Sequence, residues 1–76
     1  MIPKYENEIL LACTSGIKEL EAIADYTQKL IESESDEMKA IYTDNRRDEL
    51  PHIQNIVIAI TAMVSGESPK IAEEVG

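Results

Sequence analysis

The chain has 76 residues, a net charge of −8 from fifteen acidic and seven basic side chains, and a single cysteine. This length accommodates one small domain, and its isolated core is marginal because so short a chain buries only about 60% of its unfolded surface. One cysteine excludes an intrachain disulfide, so we expect a metal ion or partner subunits to add stability. The acidic balance excludes nucleic acid as a partner, since phosphate binding needs a basic face.

No segment predicts a membrane span or a secretory leader. The N-terminus has no basic segment followed by an apolar stretch. The most apolar run, residues 53–64, is too short to cross a bilayer and contains Gln54 and Asn55. We therefore expect a cytoplasmic protein that does not enter a membrane.

The first half of the chain predicts one amphipathic helix, from about Lys4 to Ile31. Its apolar residues recur at intervals of three and four, the spacing of one helical face, and Pro3 is suited to a position at or just before the start. No stretch alternates with the period of two that is typical of a strand, so the sequence predicts an all-α fold. The apolar face comprises Tyr5, Ile9, Ala12, Gly16, Leu20, Ile23, Thr27 and Leu30.

The second half predicts a second helix, from about Asp36 to Val64. An acidic turn precedes it and supplies Ser and Asp residues that can cap its N-terminus. Ser65 and Gly66 are suited to its C-terminal cap. The sequence therefore predicts two antiparallel helices joined by a short turn.

Pro51 conflicts with an uninterrupted second helix. Proline removes one backbone hydrogen bond and crowds the carbonyl of Arg47, at a cost of about 3 kcal/mol in a straight helix. The sequence leaves two alternatives open, a kinked continuous helix or a break followed by a third short helix. In either case we expect residues 1–66 to form a helical hairpin domain and residues 67–76 to form a flexible tail.

Glu49 and His52 lie in the middle of the apolar face predicted for the second helix. Burying a charge is costly unless it is paired or bound to a metal, so a carboxylate and an imidazole at these positions indicate ligands. A lone Glu-x-x-His is a weak signal, because a histidine on an apolar face is more often a structural residue with a hydrogen-bond partner. The face comprises Met38, Tyr42, Asn45, Glu49, His52, Ile53, Ile56, Ile60 and Met63.

Folding the chain about Glu34 brings a third acidic residue to the same level. Glu19 precedes this point by fifteen residues and Glu49 follows it by fifteen, so both lie about 22 Å from the turn. His52 is one turn further along and is expected to face Gly16, which has no side chain to compete for space. The hairpin therefore predicts a cluster of two carboxylates and one imidazole.

Such a cluster is half of a carboxylate-bridged two-metal site. Di-iron bundles use one Glu from each of two helices and a Glu-x-x-His from each of two others, and a two-fold pair of hairpins supplies all four helices. Carboxylate and imidazole ligands suit iron or manganese, and zinc at the borderline. Ligand count and packing thus both predict a homodimer that forms a four-helix bundle.

The motifs around these residues resemble those of the encapsulated ferritins, a ferritin-like family of two-helix proteins. Residues 19–26, ELEAIADY, are similar to the first-helix motif Glu-x-x-Ala-x-x-x-Tyr. Residues 45–52, NRRDELPH, are similar to the second-helix motif Asn-Arg-Asp-Glu-Glu-x-x-His. The resemblance covers about residues 17–63.

This resemblance implies a ferroxidase that oxidises Fe(II) with dioxygen for iron storage or detoxification. By motif position, Glu19, Glu49 and His52 would bind iron. Tyr26 would lie beside the irons among the catalytic groups, and Glu21 would line the path by which metal reaches the site. The family assembles as a ring, a pentamer of dimers with a di-iron site at each dimer interface. It acts inside an encapsulin shell, a nanocompartment of the cytoplasm.

Two other functions are compatible with the sequence. In a non-catalytic oligomerisation module, Glu49 and His52 would pair with each other across the interface without metal. A rubrerythrin-like peroxide reductase would need an external electron donor, because one cysteine cannot build a rubredoxin-type centre.

Overall fold

The protein is an all-α hairpin of two long helices. A computed structural model describes residues 4–69, in which α1 spans Glu6–Glu32 and α2 spans Asp36–Val64. Three residues join the helices, which pack against each other in antiparallel orientation. The predicted hairpin is confirmed, and the predicted first helix was wrong by two residues at its start and one at its end. Part of the predicted tail, residues 70–76, lies outside the described residues.

Local capping fixes both ends of α2. The Ser35 hydroxyl accepts a hydrogen bond of 3.2 Å from the Met38 N–H, which satisfies a donor that the first turn leaves free. At the other end, Gly66 has a φ of 81°, a left-handed conformation that glycine adopts without strain. The Glu67 N–H donates to the Ala62 carbonyl at 2.8 Å, and the Gly66 N–H to the Met63 carbonyl at 3.0 Å. These two bonds form a Schellman cap, as the sequence predicted.

Pro51 lies inside a single continuous helix. The structure therefore contradicts the alternative of a break and a third helix within residues 4–69. Because Pro51 has no N–H, the carbonyl of Arg47 lacks its usual partner within α2. Pro51 is exposed, so water can reach this turn of the helix.

The hairpin is one helix layer thick, with dimensions of 56 × 26 × 12 Å. Among the described residues only Ala62 and Met63 are buried, at 6% and 5% exposure. Leu20, predicted on the packed face, is 57% exposed, because the face of α1 that meets α2 is rotated toward Glu19. The large apolar side chains that stay exposed are Leu10, Leu11, Ile17, Leu20, Ile31, Met38, Ile41, Leu50, Val57, Ile58 and Val64.

Within residues 4–69, neither helix contains a stretch both long enough and apolar enough to cross a membrane.

Candidate metal centre

Three ligand-type side chains meet halfway along the two helices. Glu19 comes from α1, and Glu49 and His52 come from adjacent turns of α2, three residues apart and therefore on one face. One ligand atom from each side chain lies within 4.8 Å of the others. The antiparallel register thus brings together the three residues that the sequence selected.

The imidazole of His52 approaches both carboxylates. Its Nδ1 atom is 3.5 Å from Oε2 of Glu19 and 3.9 Å from Oε2 of Glu49. These separations exceed ordinary hydrogen-bond lengths, so His52 approaches both carboxylates without forming a hydrogen bond to either.

Exposure differs among the three side chains. The side chains of Glu49 and Glu19 are 19% and 28% exposed, whereas that of His52 is 60% exposed. The expectation that His52 is desolvated in the packed face was wrong for the single hairpin, because this side chain lies at the edge of the groove between the helices. The expectation that it faces Gly16 was also wrong. A Cβ atom at Gly16 would meet Cγ2 of Ile56 at 3.4 Å, so Ile56 occupies that position.

Glu19 perturbs the titration of Glu49. The pKa of Glu49 is raised above its ordinary value, chiefly by the hydrogen bond that its carboxyl group forms with Glu19, and then by partial loss of hydration and the negative charge of Glu19. His52 acts in the opposite direction. In the absence of a cation, the carboxyl group of Glu49 therefore holds its proton more tightly than a solvated glutamate does.

Tyr26 and Glu21, the other residues expected at the site, lie apart from this cluster. Tyr26 is seven residues after Glu19, which places it about 10 Å along the axis of α1, and its ring packs against Tyr42. Glu21 is exposed and is directed about 200° around the helix from Glu19. The metal-access role of Glu21 stays a prediction.

Two interhelix contacts that the sequence reasoning missed flank the site on the side of the turn. Arg46 donates a hydrogen bond of 3.2 Å to the hydroxyl of Thr27, which itself donates to the Ile23 carbonyl at 2.7 Å. Tyr26 and Tyr42 form the second contact. The sequence could have indicated the tyrosine contact, because Tyr26 follows Glu19 by seven residues and Tyr42 precedes Glu49 by seven. These equal distances place both tyrosines at the same level of the hairpin.

The cluster fits a cation of the iron, manganese or zinc type. Two carboxylates and one imidazole form a mixed oxygen and nitrogen donor set, and these metals accept such a set. A cation bound by both carboxylates would favour the ionised form of Glu49 and offset the repulsion between the two negative charges. One chain offers three ligands, fewer than iron or manganese requires, so a complete site needs further donors.

Comparison of the chain with models of protein families, with curated proteins and with solved structures gave no match. The chemistry available to the cluster therefore follows from its own donors, spacing and exposure.

Proposed function

We propose that the protein is a ferroxidase that oxidises Fe(II) to Fe(III) with dioxygen at a two-iron site shared by two chains. The observation that carries this proposal is the convergence of Glu19, Glu49 and His52 within 4.8 Å. Two carboxylates and a histidine are half of the ligand set of carboxylate-bridged di-iron bundles. The motif resemblance to encapsulated ferritins supports the same chemistry.

The dimer follows from two independent needs of the hairpin. Three ligands per chain become six when a two-fold axis passes beside the cluster, which suffices for two irons that keep open positions. Pairing would also cover His52, which is 60% exposed, and part of the apolar surface that one hairpin leaves in water. In the proposed assembly, dimers join further into a ring.

Each ligand has a distinct role in this proposal. Glu49, the least exposed of the three, bridges the two Fe(II) substrate ions. Glu19 binds one iron as a terminal carboxylate, and His52 completes its coordination. Two Fe(II) ions lose one electron each, and dioxygen takes both electrons and two protons to leave as hydrogen peroxide.

An anaerobic Fe(II) titration of the purified, metal-free protein tests this function. We expect saturation near one iron per chain, followed on admission of air by a rapid rise in near-ultraviolet absorbance from Fe(III). Oxidation no faster than in protein-free buffer would refute the ferroxidase. Manganese and zinc, titrated separately, should compete for the same sites and inhibit the oxidation.

Delivery to an encapsulin shell is a second part of the proposal and rests on the family resemblance. A ring of hairpins has no cavity in which to store mineral, so a storage function needs a separate compartment. Co-expression with an encapsulin shell protein, followed by purification of intact shells, should recover the chain inside them. Recovery only outside the shells would contradict this part and leave the oxidation chemistry untouched.

A non-catalytic oligomerisation module is the alternative that a specific observation favours. Within residues 4–69, eleven large apolar side chains are exposed on a single layer of two helices, and association would cover them whether or not metal binds. This alternative predicts the same dimer mass with no Fe(II) uptake. The titration above therefore distinguishes the two functions.

A further inference from the structure

Two tyrosines face each other across the hairpin on the turn side of the ligand cluster. The ring centroids of Tyr26 and Tyr42 are 6.4 Å apart, with an angle of 33° between the ring planes. This separation falls in the range of aromatic pairs in direct contact. Both side chains are half-buried, so each phenol has a fixed neighbour and retains access to small solutes.

Lys29 holds the two rings together. Its Nζ atom lies 5.6 Å from the centroid of Tyr26 and 5.9 Å from that of Tyr42, within reach of a cation–π interaction with each ring. A 2.7 Å ion pair with Asp25 orients the ammonium group and raises the pKa of Lys29 above its usual value. Lys29 therefore stays charged at neutral pH, and its ammonium group interacts with the rings of both Tyr26 and Tyr42.

The pair lies close to the proposed oxidation chemistry. Tyr26 and Glu19 are seven residues apart on α1, and Tyr42 and Glu49 are seven apart on α2, so the pair is about 10 Å from the cluster. The third tyrosine, Tyr5, precedes Glu19 by fourteen residues and so lies about four turns from it, at the other end of α1. Only one of the three possible tyrosine pairs of this chain is in contact within residues 4–69.

We infer that Tyr26 and Tyr42 are a site of oxidative modification, at which the two phenols couple to form an intrachain dityrosine. Each phenol loses one electron and one proton, and a carbon–carbon bond forms between the ring positions next to the hydroxyl groups. The two ring hydrogens then move to the oxygens. Hydrogen peroxide accepts the two electrons and two protons and becomes two molecules of water, with iron at the cluster needed to activate it.

The coupling would consume the product of Fe(II) oxidation and tie α1 to α2. Each event removes one molecule of peroxide and replaces a contact between rings with a covalent bond. A crosslink across two helices restricts the unfolded chain, so the modified hairpin should resist unfolding more than the unmodified one. The inference relies on the proposed function only as the source of peroxide and iron.

The first experiment loads the metal-free protein with Fe(II) and admits air. We expect blue dityrosine fluorescence, and in digests a peptide pair joined at Tyr26 and Tyr42 with a mass lower by two hydrogen atoms. Tyr42→Phe should reduce the fluorescence to the level of protein-free buffer. The matched control, Tyr5→Phe, should keep the wild-type yield, and a mixture of isotopically labelled and unlabelled chains should give no mixed crosslinks.

The second experiment supplies a one-electron oxidant without iron, by illuminating a ruthenium polypyridyl complex with persulfate. The same intrachain crosslink should form in wild type and in Glu49→Ala, because the geometry of the pair is independent of the metal site.

A chain that oxidises Fe(II) rapidly without forming the crosslink would overturn the inference alone. A chain that does not oxidise Fe(II) but forms the crosslink photochemically would refute the ferroxidase and support the modification site. Absence of the crosslink in both experiments, or crosslinks only between chains, would overturn it outright.

Discussion

The middle of the hairpin and its open end are built from different chemistry. In the middle, Glu19 and Glu49 face each other, and their proximity is unfavourable in the absence of a cation, as the raised pKa of Glu49 shows. At the open end, Ala62 and Met63 are the two buried side chains of the described chain, and a Schellman cap closes α2 directly after them. Packing thus holds the open end, whereas ligand-type side chains meet in the middle.

This difference indicates which region depends on a ligand. A protein that places ligand-type residues where a helix pair would otherwise bury apolar ones gives up stability in the metal-free state. Metal binding restores that stability because the assembled site exists only in the folded protein. We therefore expect Fe(II) to raise the melting temperature under anaerobic conditions. Unchanged melting temperature and oligomer mass would contradict metal-linked assembly.

The largest expected effect is on the oxidation chemistry of the middle region. Glu49→Ala and His52→Ala should each lower the rate of Fe(II) oxidation by about 100-fold or more, since loss of residues that merely support metal ligands already costs about 10–100-fold. Stopped-flow absorbance after mixing with air-saturated buffer measures this rate. Glu8→Ala, which removes an exposed carboxylate three turns away, is the matched control. Wild-type oxidation rates in both variants would refute the assignment of Glu49 and His52 as iron ligands.

The next effect is on the packing of the open end. Met63→Ala should lower the free energy of unfolding by about 2–5 kcal/mol, because it removes one of the two buried side chains and leaves a cavity. Val64→Ala, at an adjacent position that is 68% exposed, should change it by less than about 1 kcal/mol. Urea denaturation at fixed chain concentration compares the two variants. Equal losses would show that the open end is not a packed region.

A smaller effect in the opposite direction is expected at Pro51. Replacing it with alanine restores the N–H that bonds to the Arg47 carbonyl and relieves the crowding, so Pro51→Ala should raise the free energy of unfolding by about 1–3 kcal/mol. Gln54→Ala, also exposed and one turn later, serves as the control for a gain in helix propensity. An unchanged or lower stability for Pro51→Ala would mean that the surrounding helix has adapted to the proline.

The smallest effect is on the pH dependence of the metal-free protein. The pKa of Glu49 is raised in the folded state, so the folded chain binds this proton more tightly than the unfolded chain does. Its contribution to stability is complete below the ordinary glutamate pKa and is lost as pH rises through the raised value. Thermal unfolding across this window should show a steeper decline for wild type than for Glu49→Gln. Parallel curves would mean that the pKa of Glu49 is not raised in the folded chain.

Periodicity and symmetry of the chain were sufficient to predict most of this architecture. The intervals of three and four gave both helices, and the equal distances of Glu19 and Glu49 from the turn predicted their meeting, because an antiparallel hairpin preserves axial distance. Ser65 and Gly66 predicted the cap of α2 from the conformational freedom of glycine. These features depend on helix periodicity, on the number of residues from the turn and on the conformation of glycine, all of which can be read from the sequence.

The rotation of each helix about its axis was harder to predict. Leu20 and Glu19 are neighbours about 100° apart, so a small rotation of α1 decides which of them faces α2. The sequence favoured Leu20 on hydrophobicity, whereas the helices turn Glu19 inward and leave Leu20 exposed. The exposure of His52 depends in the same way on the rotation of α2 about its axis. Such choices are set by packing between helices, which single-helix periodicity does not describe.

The thickness of 12 Å has a consequence for how the protein responds to its own concentration. A single layer of two helices has solvent on both broad sides, so an interior larger than that around Ala62 and Met63 must be formed between molecules. In the proposed dimer, site formation is then second order in chain and obeys mass action. Dilution below the dissociation constant would dismantle the catalytic centre while leaving each hairpin chemically intact, which makes abundance itself a control on activity.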